Sequence, residues 1–225
     1  NQAKSAFLST VSHELRTPLT SVLGFAKIIK KRLDEKIFPA TSRTDPKIEK
    51  TIQQVSDNLN VVVSEGERLT NLINEVLDLA KIEAGKMQWN MESVSMQEIM
   101  ERATAATTSL FEQKNLVLEK YIDPNLPLIS GDRDKLIQVV VNLISNAVKF
   151  TPAGKVICRA EQKKHEIVVG IQDTGIGIAP QDHAAVFEQF KQVVGDTLTD
   201  KPKGTGLGLP ICKEIVEHHE GRIWL

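Results

Sequence analysis

The sequence predicts an α+β protein in two parts: a helical hairpin that pairs with a second copy into a four-helix bundle, then an α/β sandwich. Three observations predict this. Apolar residues recur on a seven-residue spacing from Leu8 to Ala80. From about Met87 onward, short β-like runs alternate with helical ones. Two glycine-rich loops, around 175–177 and 204–208, punctuate the second part. The predicted boundary divides residues 1–86 from 87–225.

In the first helix, Leu8, Leu15, Val22 and Ile29 stand seven apart, and Val11, Leu19, Ala26 and Leu33 fill much of a second line. The stretch Phe38-Pro39-Ala40-Thr41-Ser42-Arg43-Thr44-Asp45-Pro46 reads as a turn, with Pro46 in the first turn of the next helix behind an Asp45 cap. The second helix carries Ile48, Ile52, Val55, Leu59, Val62, Gly66, Leu69, Ile73, Val76 and Ala80, spaced by fours and threes. That is a heptad seam, and Gly85 suits the position just past its end. A lone hairpin leaves an apolar stripe on each arm, and pairing two hairpins covers both. A homodimer therefore follows from the pattern.

Composition narrows the function. An apolar fraction of 41% suffices for a packed core. A net charge of −1 gives no basic surface for nucleic acid, and no nucleic-acid partner is expected. No apolar run approaches the roughly 20 residues that span a bilayer, so no membrane contact is expected within this stretch. The chain does not begin with Met. It reads as a piece of something longer, whose anchor or sensor would lie upstream. Cys158 and Cys212 form no CxxC pair and read as small buried hydrophobes. The five histidines show no metal-ligand spacing.

In the second part, residues 94–114, 135–149 and 209–219 read as helices, and Val117–Ile122, Lys155–Glu161 and Ile167–Gln172 as strands, with Arg222–Leu225 opening a last one. Asp173-Thr174-Gly175-Ile176-Gly177 follows a strand, and Gly204-Thr205-Gly206-Leu207-Gly208 opens a helix, where free N–H groups suit a phosphate. Either loop alone is equally an ordinary turn. No GxxxxGK[ST] occurs, and the second loop is spaced GxGxG after a polar stretch, which fits a Rossmann fingerprint poorly. Asn142 and Asn146 share one helix face, with Lys149 three residues beyond. Two amides and an ammonium on an apolar helix are costly to bury unless they hold backbone groups or a ligand; a hard cation with phosphates would use all three.

With His13-Glu14-Leu15-Arg16-Thr17-Pro18-Leu19 at one end and Phe187-Glu188-Gln189-Phe190 between the glycine loops, the chain resembles the sensor histidine kinases. The likeness runs through the H, N, G1, F and G2 boxes in order and covers nearly the whole chain. It implies a dimerisation and phosphotransfer domain followed by an ATP-binding sandwich of the gyrase, Hsp90, histidine kinase and MutL type. It implies that Asn146 ligates Mg²⁺, that Asn142 and Lys149 contact the phosphates of ATP, and that Asp173 accepts from the adenine amino group. Phe150, Gly175, Gly177, Gly204, Thr205, Gly206, Leu207 and Gly208 would flank the nucleotide and a lid at about 191–203.

The resemblance also implies autophosphorylation on His13, transfer to an aspartate of a response-regulator receiver domain, and a cytoplasmic setting for this core. The heptad register independently puts His13 on the face opposite the seam. Glu14 beside it can hold the Nδ1 proton and leave Nε2 nucleophilic. Pro18 frees the Glu14 carbonyl and favours a kink. Thr17, one turn from His13, completes a Glu14-to-Thr17 spacing like the family's phosphatase signature, or it back-bonds to the His13 carbonyl.

Two departures accompany the likeness. Gln192 stands where some members carry arginine, leaving Lys191, Lys201 or Lys203 to supply the charge, and the chain stops before the family's last strands. The alternatives are a nucleotide-driven conformational ATPase, which would not need the His13 motif, and a dimeric scaffold with a dead site, against which Asn142, Asn146 and Asp173 weigh.

Overall fold

The computed structural model describes residues 2–41, 45–191 and 205–225, with side chains described from residue 15 onward. The chain divides into two compact units, Asn1–Met87 and Gln88–Leu225.

The first unit is a hairpin of α1 (Gln2–Arg32) and α3 (Pro46–Glu83). α1 runs unbroken through Pro18. From its second apolar line Ala26 is buried, and beside that line Leu23 lies against Gly66 of α3. The first line faces away, with Leu15, Val22 and Ile29 each exposed by half or more, as is Phe25. On α3, Val62 and Leu69 are likewise exposed. The hairpin buries one stripe of each helix and leaves another uncovered.

α3 begins and ends as its sequence dictates. The Asp45 carboxylate accepts from the Lys47 N–H at 2.8 Å, and Pro46, which has no N–H to satisfy, occupies the first turn. At the other end Gly85 takes φ +63°. Its N–H reaches the Ile82 carbonyl, while Lys86 N–H reaches that of Lys81, both at 2.8 Å. This reverse turn satisfies two carbonyls that the helix cannot.

One expectation fails here. The predicted turn starts too early, because the helix continues as a π-helical segment, Leu33–Ile37, and a further helical turn α2, Phe38–Ala40. A proline ring in an α-helix meets the carbonyl four residues back. The wider winding sits immediately before Pro39, and the buried Phe38 side chain gives the extra turn a reason to persist.

The second unit holds β1 (Met91–Ser95), α4 (Met96–Lys114), β2 (Val117–Ile122), β3 (Leu128–Asp132), α5 (Arg133–Phe150), β4 (Lys155–Lys163), β5 (Glu166–Asp173) and α6 (Gly208–His218). β2 pairs parallel with β4, and β4 antiparallel with β5; β1 and β3 form a separate antiparallel pair. The core lies between helices and sheet, where Ile99, Met100 and Ala103 of α4 and Ile144 of α5 meet Val156, Cys158 and Ala160 of β4. The last three alternate along the strand, so one face of β4 is buried by pleat geometry. The predicted strand at Arg222–Leu225 is not formed: these residues join no ladder, and Arg222 instead pairs with Glu166 of β5 at 2.9 Å. A strand needs a neighbour for its backbone groups, and these residues have none in register.

Candidate functional site: an asparagine helix against glycine loops

α5 is placed by its ends. Asp132 caps the start, accepting the Lys135 N–H at 3.1 Å. At the other end the Lys114 ammonium of α4 donates to the carbonyls of Val148 and Lys149, each at 2.8 Å. The fully buried Thr151 closes the last turn by donating to the Ala147 carbonyl at 2.7 Å. One face of α5 enters the core through Leu136, Val140, Ile144, Ala147 and Val148. Asn142 and Asn146 lie half-buried, and neither amide has a hydrogen-bond partner among the described residues. Half-buried amides without protein partners can bond to solvent or to a ligand.

The second glycine loop comes to this face. A Cβ on Gly208 would fall 2.7 Å and 2.8 Å from the two terminal atoms of the Asn142 amide, so α6 begins in direct contact with Asn142. Gly206 has φ +73°, and a Cβ there would meet the Phe190 backbone at 2.9 Å; its carbonyl accepts the Phe190 N–H at 3.0 Å. Only glycine suits both the backbone angle and the approach. Leu207 is fully buried, and its N–H donates to Thr205 Oγ1 at 3.2 Å. α3, α4 and α5 start with side-chain caps from Asp45, Ser95 and Asp132, whereas α6 has none. Pro210 has no N–H, so among the described residues the N–H groups of Gly208 and Leu209 are the ones at this helix start that can receive an anion.

The first glycine loop reaches the other end of α5. A Cβ on Gly175 would fall 2.3 Å from the Phe150 carbonyl oxygen, and Ile176 N–H donates to that oxygen at 3.3 Å. Asp173, exposed at the end of β5, accepts the Gly175 N–H through Oδ1 at 2.8 Å. Among the described residues Oδ2 has no such bond, so it is open to an amino group. Thr174 pins the loop to β4 by accepting the Lys155 N–H at 3.0 Å. Gly177 has φ +70° and faces open space. Lys149 lies with its ammonium 4.9 Å from the Phe150 ring centre.

The structure thus brings Gly208 to Asn142 and Gly206 to Phe190 beside the middle of α5, and Phe150, Gly175 and Asp173 together at its end, which marks out a candidate cleft along the helix. Lys191 pairs with Glu188 at 3.1 Å. Gly204, Gln192, Lys201, Lys203 and all of the expected lid at 191–203 beyond Lys191 lie outside the described residues, as do the side chains of His13 and Glu14. Arg16 donates to Asn74 of α3 at 2.7 Å, which ties the His13 motif to the second arm of the hairpin. Among the described residues, no cluster of three histidine, cysteine or acidic side chains could hold a metal, and no helix is long and apolar enough to cross a membrane. An amide oxygen on Asn146 is a hard donor that fits Mg²⁺, an ion that keeps several waters and takes phosphate oxygens as further ligands.

Residues 3–85 match the family described as His Kinase A (phospho-acceptor) domain. Residues 131–225 match the histidine kinase-, DNA gyrase B-, and HSP90-like ATPase. Drug sensory protein A of a Synechocystis strain is 38% identical over 236 residues, covering 100% of this chain and 33% of its own length. The mycobacterial sensor histidine kinase MprB is 30% identical with a TM-score of 0.50, over 60% of this chain and 83% of that one. Full-length ShkA, crystallised in complex with AMPPNP, is 29% identical with a TM-score of 0.70, over 94% of this chain and 40% of that one. The fold and site define a phospho-acceptor hairpin joined to an ATPase-type sandwich. The chain belongs to the sensor histidine kinases. It spans about a third of the length of the Synechocystis relative.

Proposed function

We propose that this chain is the catalytic core of a two-component sensor kinase that moves the γ-phosphoryl group of ATP onto its own His13. The supporting observation is the contact between Gly208 and Asn142, which sets a helix start with no side-chain cap against an amide that has no hydrogen-bond partner among the described residues. Such a cleft offers N–H groups and amide oxygens to a polyphosphate, while Asp173 at the far end offers an acceptor to a base.

In the transfer, His13 Nε2 attacks the γ-phosphorus in line, the bond to the bridging oxygen breaks, and ADP leaves with the electron pair. Glu14 holds the Nδ1 proton through the step. Positioning by Asn142, Lys149 and the glycine N–H groups carries most of the catalysis. Asn146 would hold Mg²⁺, which when bound would supply charge neutralisation to the phosphates. The phosphohistidine then passes its phosphoryl to an aspartate on a response-regulator receiver domain. The uncovered stripes of α1 and α3 support a homodimer. Thr17, one turn from His13, orients the water that hydrolyses the phosphorylated regulator.

Two variants test the assignments. Asn146→Ala should abolish labelling from Mg-ATP while the chain stays folded and dimeric; retained labelling would reject the ligand role. Thr17→Ala should keep labelling and slow dephosphorylation of the purified regulator at least tenfold; equal rates would reject that role.

A further inference from the structure

α5 and α6 run antiparallel, and contacts mark their alignment. Gly208 meets Asn142 at the cleft. Cys212 Sγ approaches the Val139 carbonyl at 3.9 Å midway. At the end away from the cleft, the Asp132 N–H donates to His219 Nε2 at 2.8 Å. The last contact is the directional one. His219 Nδ1 also lies 2.7 Å from the Ile215 carbonyl, one turn back on its own helix. A carbonyl only accepts and an amide N–H only donates, so one neutral tautomer, protonated on Nδ1, satisfies both.

The seat of this ring is built from three segments. Gly131 leaves room for it: a Cβ there would fall 3.2 Å from His219 Cδ2. Asp132 is buried, caps α5 through Oδ1, and accepts the Asn90 N–H through Oδ2 at 2.9 Å. Trp89 stacks on His218 with ring centres 3.8 Å apart and meets His219 edge-on at 5.8 Å. The seat therefore fixes the start of α5, the end of α6 and residues 89–90 with respect to each other.

We propose that His219 is a positioning residue for nucleotide binding, setting from the far end of the helix pair where Gly208 lies against Asn142. The inference rests on reading that cleft as a nucleotide site. His219 and Gly208 are separated by roughly 16 Å of helix, at about 1.5 Å per residue. At the Gly208 end, no side chain among the described residues caps α6, and Gly208 packs directly against Asn142. A helix released at its directional anchor can slide or turn on its midpoint. A shift of about 1 Å at the cleft is enough to spoil a site.

The test is Mg-AMPPNP binding to the whole chain, by calorimetry, with folding followed by circular dichroism. His219→Ala should weaken binding about tenfold, the scale set by one lost directional bond and an orphaned N–H. In turnover it should raise KM for ATP with kcat at saturation little changed. His219→Gln should restore affinity to within about twofold, because its amide can accept from Asp132 and donate to Ile215. Wild-type affinity in His219→Ala, or equal loss in both variants, would overturn the proposal. Failure of the unaltered chain to bind Mg-AMPPNP would overturn the nucleotide reading itself. Nitrogen-15 spectra of the unaltered chain need no variant: a His219 proton on Nδ1 supports the anchor, and a proton on Nε2 overturns it.

Discussion

Asn142 and Asn146 have no hydrogen-bond partner among the described residues, which suits the ligand role proposed for them, whereas Asp132, Thr151 and Thr174 hold the backbone through theirs. The first pair could be read from the sequence because amides on an apolar helix face contradict the pattern around them. Asp132 carried a signal too: an aspartate three residues before Lys135, opening an apolar helix, is an N-cap pattern. His219 carried none. Its partner lies 87 residues away, and no local spacing announces such a pair.

Cys158 shows how burial alone sets chemistry. Burial pushes its thiol up from 9.0 to about 11, and the Lys120 ammonium offsets a part. The folded chain therefore holds this proton where the unfolded chain releases it. That contribution to stability is fully present below pH 9.0 and is lost as the pH climbs to about 11. Urea unfolding between those limits should show a steeper fall in stability for wild type than for Cys158→Ala. Parallel curves would contradict the buried thiol.

At the scale of elements, the strongly periodic segments followed from their sequence. α3 starts at Pro46 behind Asp45 and ends before Gly85, as its signals indicate. β2, β4 and β5 coincide closely with their apolar runs. β1 and β3 escaped notice for a physical reason. In β1 only Val94 among the apolar residues is buried, and in β3 the exposed Leu128 and partly buried Ile129 precede Ser130 and Gly131. A two-stranded pair with so little buried apolar surface leaves no alternation to detect. The π-helical segment before Pro39 is a local answer to a proline, and periodicity does not record it.

The uncovered stripe of α3 leads to a prediction about assembly. Val62 and Leu69 are exposed in the lone hairpin yet belong to the heptad line. In the proposed bundle they are buried against the second copy. Val62→Glu would place a carboxylate in that seam at a cost of several kcal/mol. Light scattering should find wild type dimeric at micromolar concentration and Val62→Glu monomeric or unfolded. A dimeric variant would place the seam elsewhere.

For the molecule as a whole, the proposed donor site and the proposed acceptor belong to different units: Asn142, Asn146 and the glycine loops to Gln88–Leu225, and His13 to Asn1–Met87. Each unit has its own reason to hold its shape. The hairpin has the packing of α1 on α3, with pairing proposed to cover the rest, and the sandwich has the core between α4, α5 and β4. The central claim is that the phosphoryl group arrives on His13, and the most direct measurement is to locate it. After incubation with Mg-ATP labelled in the γ-phosphate, the label should be acid-labile and base-stable, map to the peptide containing His13, and vanish in His13→Gln. Acid-stable label, or label that persists in His13→Gln, would contradict the account.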